Sequence, residues 1–256
     1  MWRSNWHTYD HYGYALIVVA GTLAAVGGVH WLLHRPRSAD WVHSLRGVAP
    51  PFINIIGVVF GLTLAFLAND TWSAHDRAMN AVFVEADALH SMAVLARQLP
   101  AGQRKQVLQA LDDYAHAAAD EWSMLAQREA STDVSHRADA LLTLLASPEV
   151  ASGVGSNVQA LMLAKASQTR DQRDQRIGLS QTHVNPLKWL GMAFLGFLTL
   201  LSIAVVHVEQ PRAALVGVVL FALAAAPTAA IVLIQGNPFQ QPSSVSPEPI
   251  LAALRF

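Results

Sequence analysis

Read for apolar and polar positions, the chain alternates between long apolar blocks and one long charged block. No Asp, Glu, Lys or Arg occurs between Asp10 and Arg35, Arg46 and Asp70, Lys188 and Glu209, or Arg212 and Glu248. Each gap is mostly apolar and can hold the roughly 20 helical residues that cross the hydrocarbon of a bilayer. The pattern predicts spans at Ala15–Leu33, Pro51–Asn69, Trp189–His207 and Ala213–Gln235. Trp31, Trp41, Trp72 and Trp189 fall at or near their ends, where amphipathic rings gather. A cleaved signal peptide is the competing reading of the first block. Its apolar run continues past Val26 to Trp31 and Leu33, which favours a retained span.

The charged block, residues 70–187, lies between the second and third spans and reads as helical, with no alternating strand pattern and no internal repeat. A first helix continues from the membrane to about Gln98, with Trp72, Met79, Val82, Phe83, Ala86, Leu89 and Ala93 as its apolar face. Pro100-Ala101-Gly102 ends it. A second, Gln103–Glu129, carries Val107, Leu111, Tyr114, Ala118, Trp122 and Leu125 at spacings of three and four. Ser131-Thr132-Asp133 offers N-caps for a third over Val134–Ala146. A fourth begins after Gly155 and runs past Arg176 to Asn185, ahead of Pro186. The fold class is therefore an all-α membrane protein: four transmembrane helices with a helical soluble domain inserted between spans 2 and 3.

The expected divisions are 1–69 (spans 1 and 2), 70–187 (soluble domain), 188–235 (spans 3 and 4) and 236–256 (an extended Pro-rich tail). Pro238, Pro242, Pro247 and Pro249 keep the tail extended until the apolar turn Ile250–Leu254. Composition alone reads it as flexible. Phe239 and the Ile250-Leu251 pair argue instead for a docked arm, since they gain nothing in water.

Composition narrows the chemistry. The chain is 53% hydrophobic and 14% charged with a net charge of −1, which gives no electrostatic footprint for nucleic acid. It has no cysteine, so disulfides, zinc–thiolate sites and thiol catalysis are excluded. His7/His11 and His30/His34 have helical i, i+4 spacing, but no third ligand joins either pair, so no metal or cofactor is expected. No HExxH, GxSxG or phosphate-binding loop is present, and no span carries paired acids, so the chain does not read as an enzyme. Asn54 in the second span reads as an interhelical hydrogen-bonding group, and Pro227-Thr228 in the fourth as a locally satisfied kink. Basic residues near the span ends divide almost evenly between the two sides, so charge does not set the orientation.

One stretch stands out. Residues 57–89 pass from lipid-compatible to water-requiring sequence with no proline and no glycine after Gly61. The polar face of this helix runs through Asp70, Ser73, Arg77, Asn80, Asp87 and Ser91. Traced back at helical steps, it enters the span at Phe66, Thr63, Val59 and Ile55 or Ile56. A pore-lining helix looks like this, because a narrow aliphatic constriction gates by wetting and dewetting. A span that merely continues into a soluble bundle gives the same pattern, and the residues leave both readings open.

The order of motifs adds a resemblance. Gly61, Phe66 and Trp72, then Val84-Glu85-Ala86-Asp87-Ala88-Leu89, Leu99-Pro100, Tyr114, Glu121-Trp122, Arg173 and Arg176, and the tail from Pro238-Phe239 to Leu254 resemble the bestrophin-like family of small bacterial membrane proteins. The resemblance covers about residues 51 to 254. It implies a homopentameric ion channel in the bacterial inner membrane, whose partners are copies of itself, the lipid bilayer and small inorganic ions. The helical domain would be cytoplasmic, and span 2 of each subunit would line the pore. The neck would comprise Ile55, Val59 and Thr63, with Asp70 and Arg77 as pore or vestibule charges. Two departures matter: Thr71 precedes Trp72 where an arginine is expected, and Thr63 is polar where an aromatic is expected. Ion selectivity is therefore not carried over. No counterpart of the bestrophin calcium-binding acidic cluster is present.

Glu85 sits at the border of the packed face and needs a cationic partner, because an unpaired buried carboxylate is costly. Arg173 and Arg176, on the last soluble helix, are the natural candidates for structural ion pairs. Arg170, Arg173 and Arg176 recur at steps of three with Asp171 and Asp174 alongside. That is the spacing of a solvated helix with internal pairs, or of positive rings in an oligomer. Against the channel stands a non-conducting membrane scaffold or sensor whose helical domain recruits a partner.

Overall fold

A computed structural model describes residues 4–33, 49–181, 186–207 and 209–255, and the chain is helical throughout them with short turns between elements. The helices are α1 (Ser4–Leu33), α2 (Ala49–Ala96), α3 (Ala101–Asp120), α4 (Trp122–Ala126), α5 (Thr132–Leu145), α6 (Pro148–Val154), α7 (Ser156–Ser180), α8 (Pro186–Val206), α9 (Pro211–Ile234) and α10 (Glu248–Ala252). Four contain windows long and apolar enough to cross a membrane: Tyr12–Trp31, Phe52–Ala96, Leu187–Val206 and Pro211–Ile234. The protein is an all-α membrane protein. His34, Arg35, Arg37, Trp41 and Arg46, and the side chains of His7 and His11, lie outside what the structure describes.

Among the described residues, 73–181 and 237–255 form one compact unit, and 9–72 with 186–236 form another. In the membrane-type unit, Phe60 and Leu67 of α2 pack with Met192 of α8 and Ala229 of α9. Val29 of α1 joins Leu200, Ala204 and Val218. Small residues allow this approach: a Cβ on Gly196 would stand 3.2 Å from the Phe60 ring, and one on Gly217 would stand 2.9 Å from Ile203 Cγ2. Between spans, where lipid competes equally for apolar surface, such close packing supplies much of the attraction.

The soluble unit is a helical bundle whose core includes Val82, Leu89, Met92, Leu111, Tyr114, Leu125, Leu141, Leu145, Met162 and Ile250. The face predicted above for its first helix is buried at Val82, Ala86, Leu89 and Ala93 but not at its bulkiest members. Ala74, Ala78, Val82, Leu89, Met92, Ala93 and Ala96 are buried, whereas Trp72, Met79 and Phe83 are exposed. The alanine stripe lets neighbouring helices approach α2 closely, so the bulky residues lie outside. The second predicted helix is broken at Glu121, whose carbonyl accepts from the Met124 and Leu125 N–H groups. Arg128 then takes a left-handed φ of 65° in the turn that follows α4. The unpredicted α6 has a complete local signature. Ser147 Oγ accepts from Val150 N, Pro148 occupies the first turn, and Gly155 leaves at φ 82°, a conformation that favours glycine. Helix α7 ends at Ser180, and residues 182–185, over which the predicted helix continues to Asn185, lie outside the described residues.

The tail is docked. Phe239, Val245 and Ile250 are buried in the soluble unit, and Trp122 Nε1 donates to the Val245 carbonyl at 2.7 Å. Asn237 Nδ2 donates to Leu125 O at 3.1 Å and Gln240 Nε2 to Ala126 O at 2.7 Å. Leu125 O also accepts from the Arg128 N–H, whereas the Ala126 carbonyl, at the end of α4, takes its donor from the tail. The polar tail side chains thus cap the short helix that the tail crosses.

Candidate functional site

Helix α2 runs unbroken over 48 residues. Within the membrane-type unit its buried side is Phe60, Leu67 and Ala68, and its outward side includes Phe52, Ile55, Val58, Val59, Leu62 and Phe66. Ile55 is 63% and Val59 42% exposed, which places both on that outward side. Thr63 is half-buried, and its hydroxyl donates to the Val59 carbonyl at 2.8 Å. With its proton committed to the backbone, Thr63 presents chiefly a methyl group and an oxygen lone pair. The expected neck residues therefore form a mostly aliphatic stripe, exposed at Ile55 and Val59 and half-covered at Thr63. Asn54 is also exposed.

Beyond the span, Asp70 Oδ2 accepts from Lys188 Nζ, the first charged residue of α8, at 2.8 Å. Two residues on, Trp72 Nε1 donates to Gln235 Oε1 at 3.0 Å. These contacts tie the end of span 2 to the start of span 3 and the end of span 4. Arg77 is exposed on the soluble stretch of α2.

The second constellation lies inside the soluble unit. Glu85 and Arg176 are both fully buried. Arg176 donates through Nε to Glu85 Oε2 at 2.7 Å and through Nη2 to Oε1 at 3.0 Å, the forked geometry of a strong pair. Tyr114 Oη donates to the same Oε1 at 2.8 Å. Burial is the largest reason that the Tyr114 hydroxyl is held well above its ordinary range, and the Glu85 carboxylate adds to it. Burial is the largest influence on the Arg176 charge and opposes it, but Glu85, Tyr114 and Glu121 together outweigh it, so the guanidinium is held above its already high value.

Arg173 takes a different partner. It donates to Glu121 through Nη2 at 2.6 Å and Nε at 3.1 Å, and to Ser135 Oγ and Ser131 O. The Ser131 N–H donates to Glu121 Oε1 at 2.8 Å, so this carboxylate is satisfied on several sides. The two pairs meet where Arg176 Nη1 lies 3.7 Å from Glu121 Oε2, too far for a good hydrogen bond. The Arg176 guanidinium also sits 4.6 Å over the Trp122 ring, a cation–π contact. Only Arg170 of the three spaced arginines is at the surface, paired with Asp139 at 3.2 Å. The spacing suggests either a solvated face or positive rings. Instead, Arg173 and Arg176 turn into the core of their own chain.

Glu121, Tyr114, Ser131 and Ser135 belong to this network and were not foreseen as its members. The signals for Glu121 are its place in the Glu121-Trp122 motif of the resemblance and its position as an acid in the middle of the 111–114–118–122–125 apolar face. Among the described residues no group of three or more His, Cys, Asp or Glu could hold a metal ion.

A bundle of apolar helices long enough to span a bilayer, with a helical insertion stapled by buried Arg–Glu pairs, defines a class of integral membrane protein. The Bestrophin-like domain matches residues 20–250, and the chain belongs to that family. Solved structures share the fold at low identity. A bacterial bestrophin homologue from Klebsiella pneumoniae is 15% identical, with a TM-score of 0.67 over 94% of this chain and 95% of that one. A single-substitution variant of a Klebsiella pneumoniae bestrophin homologue is 13% identical, with a TM-score of 0.67 over 96% of each chain. A further structure, of a membrane protein with one substitution, is also 13% identical, with a TM-score of 0.66 over 96% of each. Among curated proteins none matches.

Proposed function

We propose that the protein is an ion channel, assembled as a homopentamer in the bacterial inner membrane with residues 70–187 in the cytoplasm. Span 2 of each subunit lines the pore, Ile55, Val59 and Thr63 form its neck, and Asp70 and Arg77 contribute charge below it. Glu85, Arg173 and Arg176 are structural and keep the soluble domain in shape. The observation that carries this reading is the exposed, mostly aliphatic stripe of α2, on a helix that continues unbroken into the charged domain. Lipid alone would accept that stripe. Membership of the Bestrophin-like family and the fold shared with a bacterial bestrophin homologue favour a pore. A dewetting constriction needs apolar groups at successive helical turns, which Ile55, Val59 and the Thr63 methyl provide.

Reconstitution into liposomes tests the proposal. Wild-type protein passes small ions, Val59→Ala and Thr63→Ala change the conductance by widening the neck, and the detergent-solubilised particle has the mass of five chains. Protein and variants that carry no more current than empty liposomes, together with a monomeric or dimeric particle, would overturn it.

A further inference from the structure

We propose that Lys188 is a specificity-determining residue: it neutralises Asp70 at the soluble-side end of span 2 and so sets the charge that a permeating ion meets there. The inference rests on the channel reading above and assigns a role that the neck residues do not have.

At 100° per residue, Asp70 lies about 20° around α2 from both Val59 and Thr63, and about 10 Å beyond Thr63 along the axis. It therefore continues the neck stripe at the point where the helix leaves the apolar window. Its carboxylate is not solitary. Lys188 reaches it from α8, a different span, with Nζ 2.8 Å from Oδ2. Both side chains are more than half exposed, at 56% for Lys188 and 58% for Asp70, so they are open to water and to mobile ions. The Trp72–Gln235 hydrogen bond next to them links α2 to the end of α9, so the ends of three spans meet around this pair.

An exposed pair of this kind adds little to stability, because water already screens both charges and two long side chains must be ordered. Its effect on ions is larger than its effect on folding. A bare carboxylate at a constriction with apolar walls concentrates cations and repels anions, and such walls focus the field. An ammonium in contact with it cancels most of that field. Lysine suits the task, being a compact point charge on a flexible stem. In an assembly each subunit repeats the pair, so one substitution changes every copy of the charge.

The test is a reversal-potential measurement in liposomes under a KCl gradient, for wild type, Lys188→Gln, Asp70→Asn and the exchanged pair Asp70→Lys with Lys188→Asp. Lys188→Gln uncovers the carboxylate and raises the potassium-to-chloride permeability ratio by about sevenfold, since one unit charge about 7 Å away in water favours the cation and disfavours the anion by about threefold each. Asp70→Asn shifts the ratio the opposite way. The exchanged pair returns it close to wild type, and the opposite shifts of the two single variants are what a merely structural role would not give. Currents whose ratio is the same in wild type and both single variants overturn the inference alone, as do single variants that shift in the same direction. No current from any of the proteins overturns the channel reading and the inference with it.

Discussion

Glu85 keeps its charge inside the soluble unit because three donors meet it: Nε and Nη2 of Arg176 and the hydroxyl of Tyr114. Removing water from a carboxylate and a guanidinium is costly, and only such saturated geometry repays it. Glu85→Gln leaves the Arg176 guanidinium buried without its main counter-ion. It should cost about 3–5 kcal/mol, read as a lowered unfolding midpoint of the detergent-solubilised protein. Replacing both partners by apolar residues, Glu85→Leu with Arg176→Met, should recover much of that loss, because no orphaned charge remains. Tyr114 carries a pH signature. Its folded value is raised above the unfolded value near 10, chiefly by burial and next by Glu85. As pH rises, the unfolded chain therefore releases this proton first. The contribution is complete below about pH 10 and is lost above it. In Tyr114→Phe the alkaline fall in stability should be shallower, as measured by unfolding midpoints across that range.

At the scale of elements, the tail from Asn237 to Ala252 acts as one more packed segment of the soluble unit. Its side chains close α4, Trp122 closes back on Val245, and Phe239 stands edge-on to the Trp122 ring at 5.6 Å. Trp122→Phe preserves most of the ring but deletes the indole N–H, leaving the Val245 carbonyl buried without that donor. A lost buried hydrogen bond is worth about 1–3 kcal/mol. Backbone hydrogen exchange over residues 237–254 should therefore speed up by about tenfold, while exchange in the α5 core changes little. Equal exchange rates in the two proteins would mean that the apolar contacts of Phe239 and Ile250 suffice to hold the tail. Helix α6 shows a different kind of element. Gly153 lies so close to the α2–α3 turn that a Cβ would meet Leu99 Cδ2 at 2.8 Å and Pro100 Cδ at 3.1 Å. A helix this short persists through its Ser147 cap, Pro148 and that contact rather than through propensity.

At the scale of the whole molecule, the order of spans and soluble helices could be read from the sequence. An apolar window about 20 residues long is a local property, and so is the absence of a helix breaker after Gly61. The phase of Ile55, Val59 and Thr63 along α2 is equally local, since a continuous helix fixes relative directions by residue count. Local reasoning placed Val82, Ala86, Leu89 and Ala93 on the packed face of the soluble stretch of α2, but added Met79 and Phe83 where Ala74 and Ala78 allow close approach. It also missed the interruption at Glu121, where the amphipathic pattern continues across a residue that keeps helical dihedrals. By itself the sequence determined an all-α membrane protein, with four apolar windows, a helical insertion and an uninterrupted second span. Which carboxylate holds which arginine, and whether the tail docks, were decided only by the tertiary structure. Arg176 and Glu85 are 91 residues apart, and Trp122 and Val245 are 123 apart. The physical reason is that a pairing between distant residues depends on which helices pack together, and several carboxylates were chemically equal until that packing chose among them.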